Sequence, residues 1–225
     1  YQNVLATFST LYALNASVKY SLKTRSLGAV EEESGYGWEV SSLNGYVNTK
    51  MYPRLYGMLA LGTLLPLDHS SVWLRAAAGW SPGTRNDPFA NFYFGAFGNN
   101  WVDHGEFRRY REYYAFPGAP LNAIGGTNFG KALLEWVVPP ARFRRLGGES
   151  FYCTWAQLVL FGGVITTNMD APSFGETVAD AGAQADFRLV LFSALESTLS
   201  VGWAAAAAKD ERMTREFMVS LKILR

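Results

Sequence analysis

From Leu14 to Lys23 the chain alternates without a fault: Leu14, Ala16, Val18, Tyr20 and Leu22 are apolar, and Asn15, Ser17, Lys19, Ser21 and Lys23 stand between them. A period of two puts every apolar side chain on one face of an extended strand, whereas a helix would scatter them around its axis. The pattern returns three times near the C-terminus. Ala183, Ala185, Phe187, Leu189 and Leu191 alternate with Gln184, Asp186, Arg188 and Val190. Leu199, Val201, Trp203 and Ala205 alternate with Thr198, Ser200, Gly202 and Ala204, and Phe217, Val219, Leu221 and Ile223 with Glu216, Met218, Ser220 and Lys222. A chain written in this way is committed to an all-β, antiparallel architecture.

The remaining strands are read from turn signals. Gln2–Thr10 and Leu14–Lys23 form a hairpin around Leu11–Ala13, and the charged loop Thr24–Gly37, with Glu31, Glu32 and Glu33, reads as a solvated face. Trp38–Lys50 ends at the turn Tyr52-Pro53-Arg54, followed by Leu55–Leu67 and by Val72–Trp80, whose apolar face leaves Arg75 on the other side. The cluster SPGTRNDP separates this from a sixth strand, Phe92 to about Gly98. A long loop, Asn99–Gly126, then feeds a clean strand that stops at Pro139-Pro140. Ser150–Met169 carries no charge and could pass for a membrane helix, but Gln157, Gly162-Gly163, Thr166-Thr167 and its β-branched residues fit a strand from Tyr152 to Thr167. The total is about 11 to 12 strands in one domain, residues 1–225.

Composition removes several classes of function. A net charge of +1 and a pI near 8.0 give no basic stripe for nucleic acid. The single cysteine, Cys153, excludes an internal disulfide framework and reads as a small apolar packer. The two histidines, His69 and His104, are too far apart for a metal site. Asp103-His104-Gly105-Glu106 has no nucleophile elbow beside it and reads as polar loop, so neither catalysis nor a cofactor is expected. The opening YQNVLATFST has no signal peptide and reads as the inside of a strand, so a C-terminal fragment of a longer chain, with at least one strand before Tyr1, is expected.

Which face is wet decides between a soluble and a membrane barrel. Some eleven strands with an apolar face on each would enclose more volume than side chains fill when that face points inward. The polar sets are rich in small residues, Ser17, Ser21, Thr198, Ser200 and Gly202, which suit a water-filled lumen. Trp80, Trp136 and Trp203 lie near strand ends, as membrane-interface aromatics do. Connections at one end (Thr24–Gly37, Asp68–Ser71, Asn99–Gly126, Thr167–Val178, Ala206–Thr214) are on the whole longer, with Asp68–Ser71 the exception, than those at the other (Leu11–Ala13, Met51–Arg54, Ser81–Asn91, Ala141–Ser150, Phe192–Glu196). This is the asymmetry of a bacterial outer-membrane β-barrel, with outer-membrane lipid as its surroundings.

The C-terminal half, from about Tyr110 to Leu224, resembles the bacterial outer-membrane surface-antigen superfamily, the BamA-like barrels. Ala115–Gly118 lies in a long external loop five hairpin connections from the end, as the family's inward-folded lid does. Gly125-Gly126-Thr127-Asn128 followed by Ala132-Leu133-Leu134-Glu135-Trp136 looks like the family's GGN and L-E-F pattern before a proline-bearing turn. Gly182 and Arg188, then Leu199–Trp203, then Phe217–Leu224 follow its last three strands. The resemblance implies a barrel acting in protein insertion or translocation, with client or secreted polypeptides and an upstream periplasmic domain as partners. It also implies that Glu135 faces the lumen and holds the lid. Where the family carries an Arg-Gly-aromatic tip this chain has Phe116-Pro117-Gly118, its next strand reads LFGGV without the family's acidic residue, and Arg225 ends the chain in place of an aromatic. Alternatives are a passive pore or structural barrel and, less favoured, a membrane-embedded hydrolase.

The basic run Arg108-Arg109-Tyr110-Arg111-Glu112 could supply the missing charge, either as solvated loop or by reaching carboxylates such as Glu135 or Asp186. Lys131, Glu135, Gln184, Asp186, Arg188, Glu196 and Lys222 are expected on inward faces; their mixed signs favour a cross-strand network over an ion-selective ring. Arg142, Arg144 and Arg145 are expected at the opposite, periplasmic rim.

Overall fold

The computed structural model describes residues 10–98, 108–171, 173–192, 194–209 and 212–223. The proposed first strand up to residue 9, the Asp103–Glu106 cluster and the terminal Leu224-Arg225 lie outside the described residues.

Every long alternating segment is a strand. They are β1 (Leu11–Thr24), β2 (Ser34–Val47), β3 (Lys50–Leu64), β4 (Ser71–Trp80), β7 (Asn128–Val137), β9 (Phe151–Thr167), β10 (Glu176–Leu191), β11 (Leu195–Ala208) and β12 (Thr214–Ile223). They pair antiparallel in the order just given, and β8 (Ala141–Gly148) adds to β9, which makes a ten-stranded sheet. β1 and β12 are the ends of this path; among the described residues no pairing joins them. Two short strands, β5 (Phe92–Phe94) and β6 (Ile124–Gly126), form a separate ribbon within the β4–β7 connection.

The alternation sorts the two faces of the sheet. Along β7, Lys131, Leu133, Glu135 and Val137 are buried while Leu134 and Trp136 are 56% and 43% exposed. A one-residue slip would exchange these sets, so the register is held by the difference between the faces. Leu14, Val18, Leu59, Leu74, Trp203 and Phe217 continue the exposed apolar face across the sheet. Over the middle strands the other face is covered by the β4–β7 connection, whereas β1 is exposed on both faces.

Several expectations are corrected. Leu11–Ala13 is the start of β1, not a turn. Tyr52-Pro53-Arg54 lies inside β3, and the hairpin turn is Asn48-Thr49, both at positive φ (45° and 72°), the backbone a two-residue type I′ loop demands. Pro53 is tolerated there because β4 pairs with β3 only from Leu55 onward, which leaves one edge of β3 open at Pro53. Ala141–Ser150 is not a simple connection. Its Arg142, Arg144 and Arg145, all exposed, sit on β8, which pairs with β9 through a register shift between Arg142 and Leu146.

Most consequentially, Phe92–Gly98 is not a strand of the main sheet. Removing it from the count reverses every connection upstream. The loops at 25–33 and 65–70 therefore lie at the end opposite the β4–β7, β9–β10 and β11–β12 connections. Trp203 also lies near the middle of β11 rather than at its end.

Thr49 is a β-branched residue held at positive φ, where its Cβ crowds the backbone. Thr49→Gly is expected to raise the unfolding free energy by about 0.5–1 kcal/mol, the strain relieved less the added chain entropy. A urea midpoint that rises with an unchanged slope would bear this out, and a lower midpoint would refute it.

Candidate functional site

The covered face is built first from apolar contacts. Phe92, Phe94, Phe116 and Ile124 of the β4–β7 connection are buried with Phe129 of β7, Ile165 of β9, Val178 of β10 and Ala206 of β11. Phe92 and Phe94 meet the Phe129 ring edge-on, with centroids 5.0 and 4.6 Å away. A second cluster joins Phe97 and Tyr110 to Trp73, Leu133, Phe161 and Ala204. Tyr110 stacks on Phe161 at 4.4 Å.

Small residues of the sheet make room for these rings. A Cβ on Gly202 would come within 2.8 Å of Phe97. Conversely Gly118, at φ +87°, lies against β11 so closely that a Cβ there would stand 2.6 Å from the Ala205 carbonyl carbon and the Ala206 nitrogen. Among the described residues, then, Gly202 seats a ring of the covering loop rather than lining open water. Phe116 and Pro117 are buried beside Gly118, and Phe116 forms a bridge with Ala96. Gly125 and Gly126 belong to β6 and pair with Tyr93 and Phe92, and the Gly125 carbonyl accepts a bond from Asn168 Nδ2 at 3.3 Å.

Within this apolar frame sits a cluster of ions. Glu135, with 0% of its surface exposed, accepts from Arg75 Nε of the neighbouring strand at 2.9 Å, from Arg111 Nε at 3.0 Å and Nη2 at 2.5 Å, and from the Tyr110 hydroxyl at 2.7 Å. Arg108 Nη1 is 3.7 Å from the same carboxylate. Arg108, itself 0% exposed, donates through Nε to Asp186 Oδ2 at 3.0 Å and through Nη2 to Gln157 Oε1 at 2.8 Å. The other oxygen of Asp186 accepts from Gln184 Nε2 and Ser200 Oγ at 2.7 and 2.6 Å. Burial, and then the charge of Glu135, hold the Tyr110 hydroxyl well above the ordinary tyrosine range, so it stays a donor.

The third carboxylate comes from elsewhere. Glu31, in the β1–β2 connection, bridges the two arginines: one oxygen bonds Arg108 Nη1 and the other Arg111 Nη1, the latter at 2.9 Å. Arg75, Arg108 and Arg111 thus meet Glu31, Glu135 and Asp186, and the formal charges cancel. Buried guanidiniums without such partners would cost several kcal/mol each.

Outside the cluster the loop has further anchors. Lys131 Nζ donates to the carbonyls of Glu112 (3.0 Å), Tyr113 (3.3 Å) and Ala115. Glu216 of β12 accepts from the Phe97 and Gly118 amides at 3.2 and 3.1 Å, and Arg109 Nη2 donates to Ser220 Oγ at 3.2 Å. Among the described residues Arg188 pairs with Glu196, near the C-terminal end of β10, and not with the loop.

The basic run, Lys131, Glu135 and Asp186 are therefore brought together, and Arg188 is not. The sequence does not place several contributors at the site, among them Glu31, Arg75, Tyr110, Gln157 and Glu216. Arg75 and Glu216 carried a signal, each a charge on the minority face of an apolar strand. Glu31 carried none, because a run of three glutamates in a loop has no periodicity to orient it.

The arrangement holds a loop to a sheet. Among the described residues no group of three or more His, Cys, Asp and Glu is placed to hold a metal ion. Glu135→Ala would leave Arg75 and Arg111 facing each other without their shared carboxylate, at a cost of about 3–5 kcal/mol. The expected outcome is a lowered urea midpoint together with new protease cleavage within residues 108–123. Retained stability and protection would show the cluster to be dispensable. No family model, no curated protein and no solved structure matches this chain.

Proposed function

We propose that the chain forms the wall of a bacterial outer-membrane β-barrel whose covering loop is a lid in the lumen, and that it acts in protein insertion or translocation. The observation that carries the membrane reading is inverted polarity. Along the path from β1 to β12, which leaves β8 aside, one face exposes large apolar side chains, from Leu14 and Val18 of β1 through Leu74, Leu134, Trp136 and Leu160 to Phe217 and Leu221 of β12. The covered face holds Arg108, Glu135, Asp186 and Gln184. A water-soluble sheet has the opposite arrangement, and an exposed apolar surface running over so many strands needs something apolar against it.

The ion cluster supports a gate over a permanent plug. In a dry core, parting Arg111 from Glu135 would leave both charges uncompensated. In a water-filled lumen the same groups are hydrated once the loop lifts, so opening recovers part of the desolvation that closing costs. Insertion or translocation follows from the resemblance of Gly125-Gly126-Thr127-Asn128 and Glu135 to the surface-antigen barrels; it is an argument from analogy.

Two measurements test this reading. In vesicles with brominated acyl chains, fluorescence of Trp38, Trp80, Trp136 and Trp203 is expected to be quenched; quenching by aqueous iodide alone would sink the membrane assignment. In planar bilayers the parent protein is expected to be closed or to flicker, and Glu135→Ala to pass a larger current. A steady ohmic current through the parent would mean a passive pore, and silence from both a structural barrel.

A further inference from the structure

The β1–β2 connection, residues 25–33, enters from the end of the sheet opposite the covering loop, yet its Glu31 supplies the third carboxylate of the ion cluster. Among the described residues the sheet wall offers Glu135 and Asp186 to the three guanidiniums of Arg75, Arg108 and Arg111. Arg108 Nη1 and Arg111 Nη1 converge on one further carboxylate, one donor to each oxygen, which is how a carboxylate receptor is built. Glu31, whose side chain is 9% exposed, fills that receptor.

The segment that delivers Glu31 is separately moored. Glu33 accepts from the Ser26 amide at 3.2 Å and from the Ser26 hydroxyl, and its other oxygen lies 2.8 Å from His69 Nδ1 in the β3–β4 connection. Burial by itself would raise the Glu33 carboxyl, but the bonds from Ser26 and His69 outweigh it and hold it below the ordinary glutamate range. The Glu33 amide also closes onto the Thr24 carbonyl at 2.9 Å. The connection is thus a strap fixed at its base, with one side chain extended into the cluster.

We propose that Arg108 and Arg111 form a binding site for a carboxylate, that Glu31 occupies it as an internal ligand, and that the strap thereby fastens the covering loop from the opposite end. With Glu31 gone the cluster keeps, among the described residues, Arg75, Arg108 and Arg111 against Glu135 and Asp186, and the two donors aimed at Glu31 then take up a carboxylate from outside. The inference needs only these contacts and stands whether or not the sheet lies in a membrane.

The test is chemical rescue in the otherwise intact protein. A thiol is placed at the buried Ala115 (Ala115→Cys, in a Cys153→Ser background), and its maleimide labelling reports lifting of the loop. Glu31→Gly is expected to label at least roughly tenfold faster than its parent, since a buried ion pair loses one partner. Formate is expected to restore slow labelling, and chloride at equal ionic strength is not. Comparing formate with the tripeptide Gly-Glu-Gly separates a free acid from a polypeptide side chain as what the emptied site admits. Unchanged labelling, or equal rescue by chloride, overturns the proposal. Should Glu31→Gly fold only in formate, that dependence is itself the rescue. Should it fold in neither, Glu31→Gln decides by labelling alone: faster labelling supports the strap, and the parent's rate overturns it.

Discussion

Glu135 is a carboxylate with none of its surface exposed, and most of what surrounds it follows from that. A charge so placed is tolerated only with its oxygens filled by donors, ideally charged ones. Arg75 arrives from β4, paired next to β7, but one strand cannot saturate two oxygens. The remaining donors, Arg111 and Tyr110, lie on a loop, so satisfying Glu135 obliges the β4–β7 connection to fold back onto the sheet. Once there it brings Arg108, and Arg108 in turn calls for Asp186, Gln157 and Glu31. The sequence of needs runs from one buried carboxylate to contacts on five elements.

Ions alone would not fix the loop in one position. Charge attraction tolerates displacement, whereas close packing does not. The rings of Phe92, Phe94, Phe97, Phe116 and Tyr110 are buried among sheet side chains, and Gly118 lies on the backbone of β11. Gly202 seats Phe97 where any side chain would clash. Packing sets the loop's place, and there the guanidiniums of Arg111 and Arg108 reach their carboxylates at 2.5–3.0 Å. The two kinds of contact therefore divide the work between position and charge.

The strands were legible because alternation is a local property: Leu134, Glu135 and Trp136 declare their faces within three residues. The basic run was legible as charge seeking a partner, although not which carboxylate each arginine would take. What failed were judgements that depend on neighbours. Phe92–Gly98 has the composition of a strand, but its pairing partner is Gly125-Gly126 in the same connection, which nothing local reveals. Pro53 looked like a turn because proline breaks most ladders, and only the reach of β4 shows that its edge is open. The error over Phe92–Gly98 then reversed the assignment of ends, since antiparallel order carries a single miscount through every strand before it. Glu31 was read as solvated for the same reason: the arginines that bury it are some 80 residues away in the chain.

That reversal changes how the cluster should be understood. With the β1–β2 connection at the same end as the covering loop, Glu31 would be one more contact of a single lid. At the opposite end, it makes Arg108 and Arg111 the meeting point of two segments that enter from different directions and touch the same guanidiniums. Groups that share partners do not contribute independently: withdrawing Glu31 leaves Arg108 and Arg111 to pull harder on Glu135 and Asp186, and loss of Glu135 leaves Glu31 overcommitted. A disturbance of the strap at Glu33 or His69 is therefore felt by the loop, and a displaced loop loosens the strap. Coupling between the two ends needs no moving wall and no long relay of packed residues, because the two segments meet directly where Glu31 touches Arg108 and Arg111.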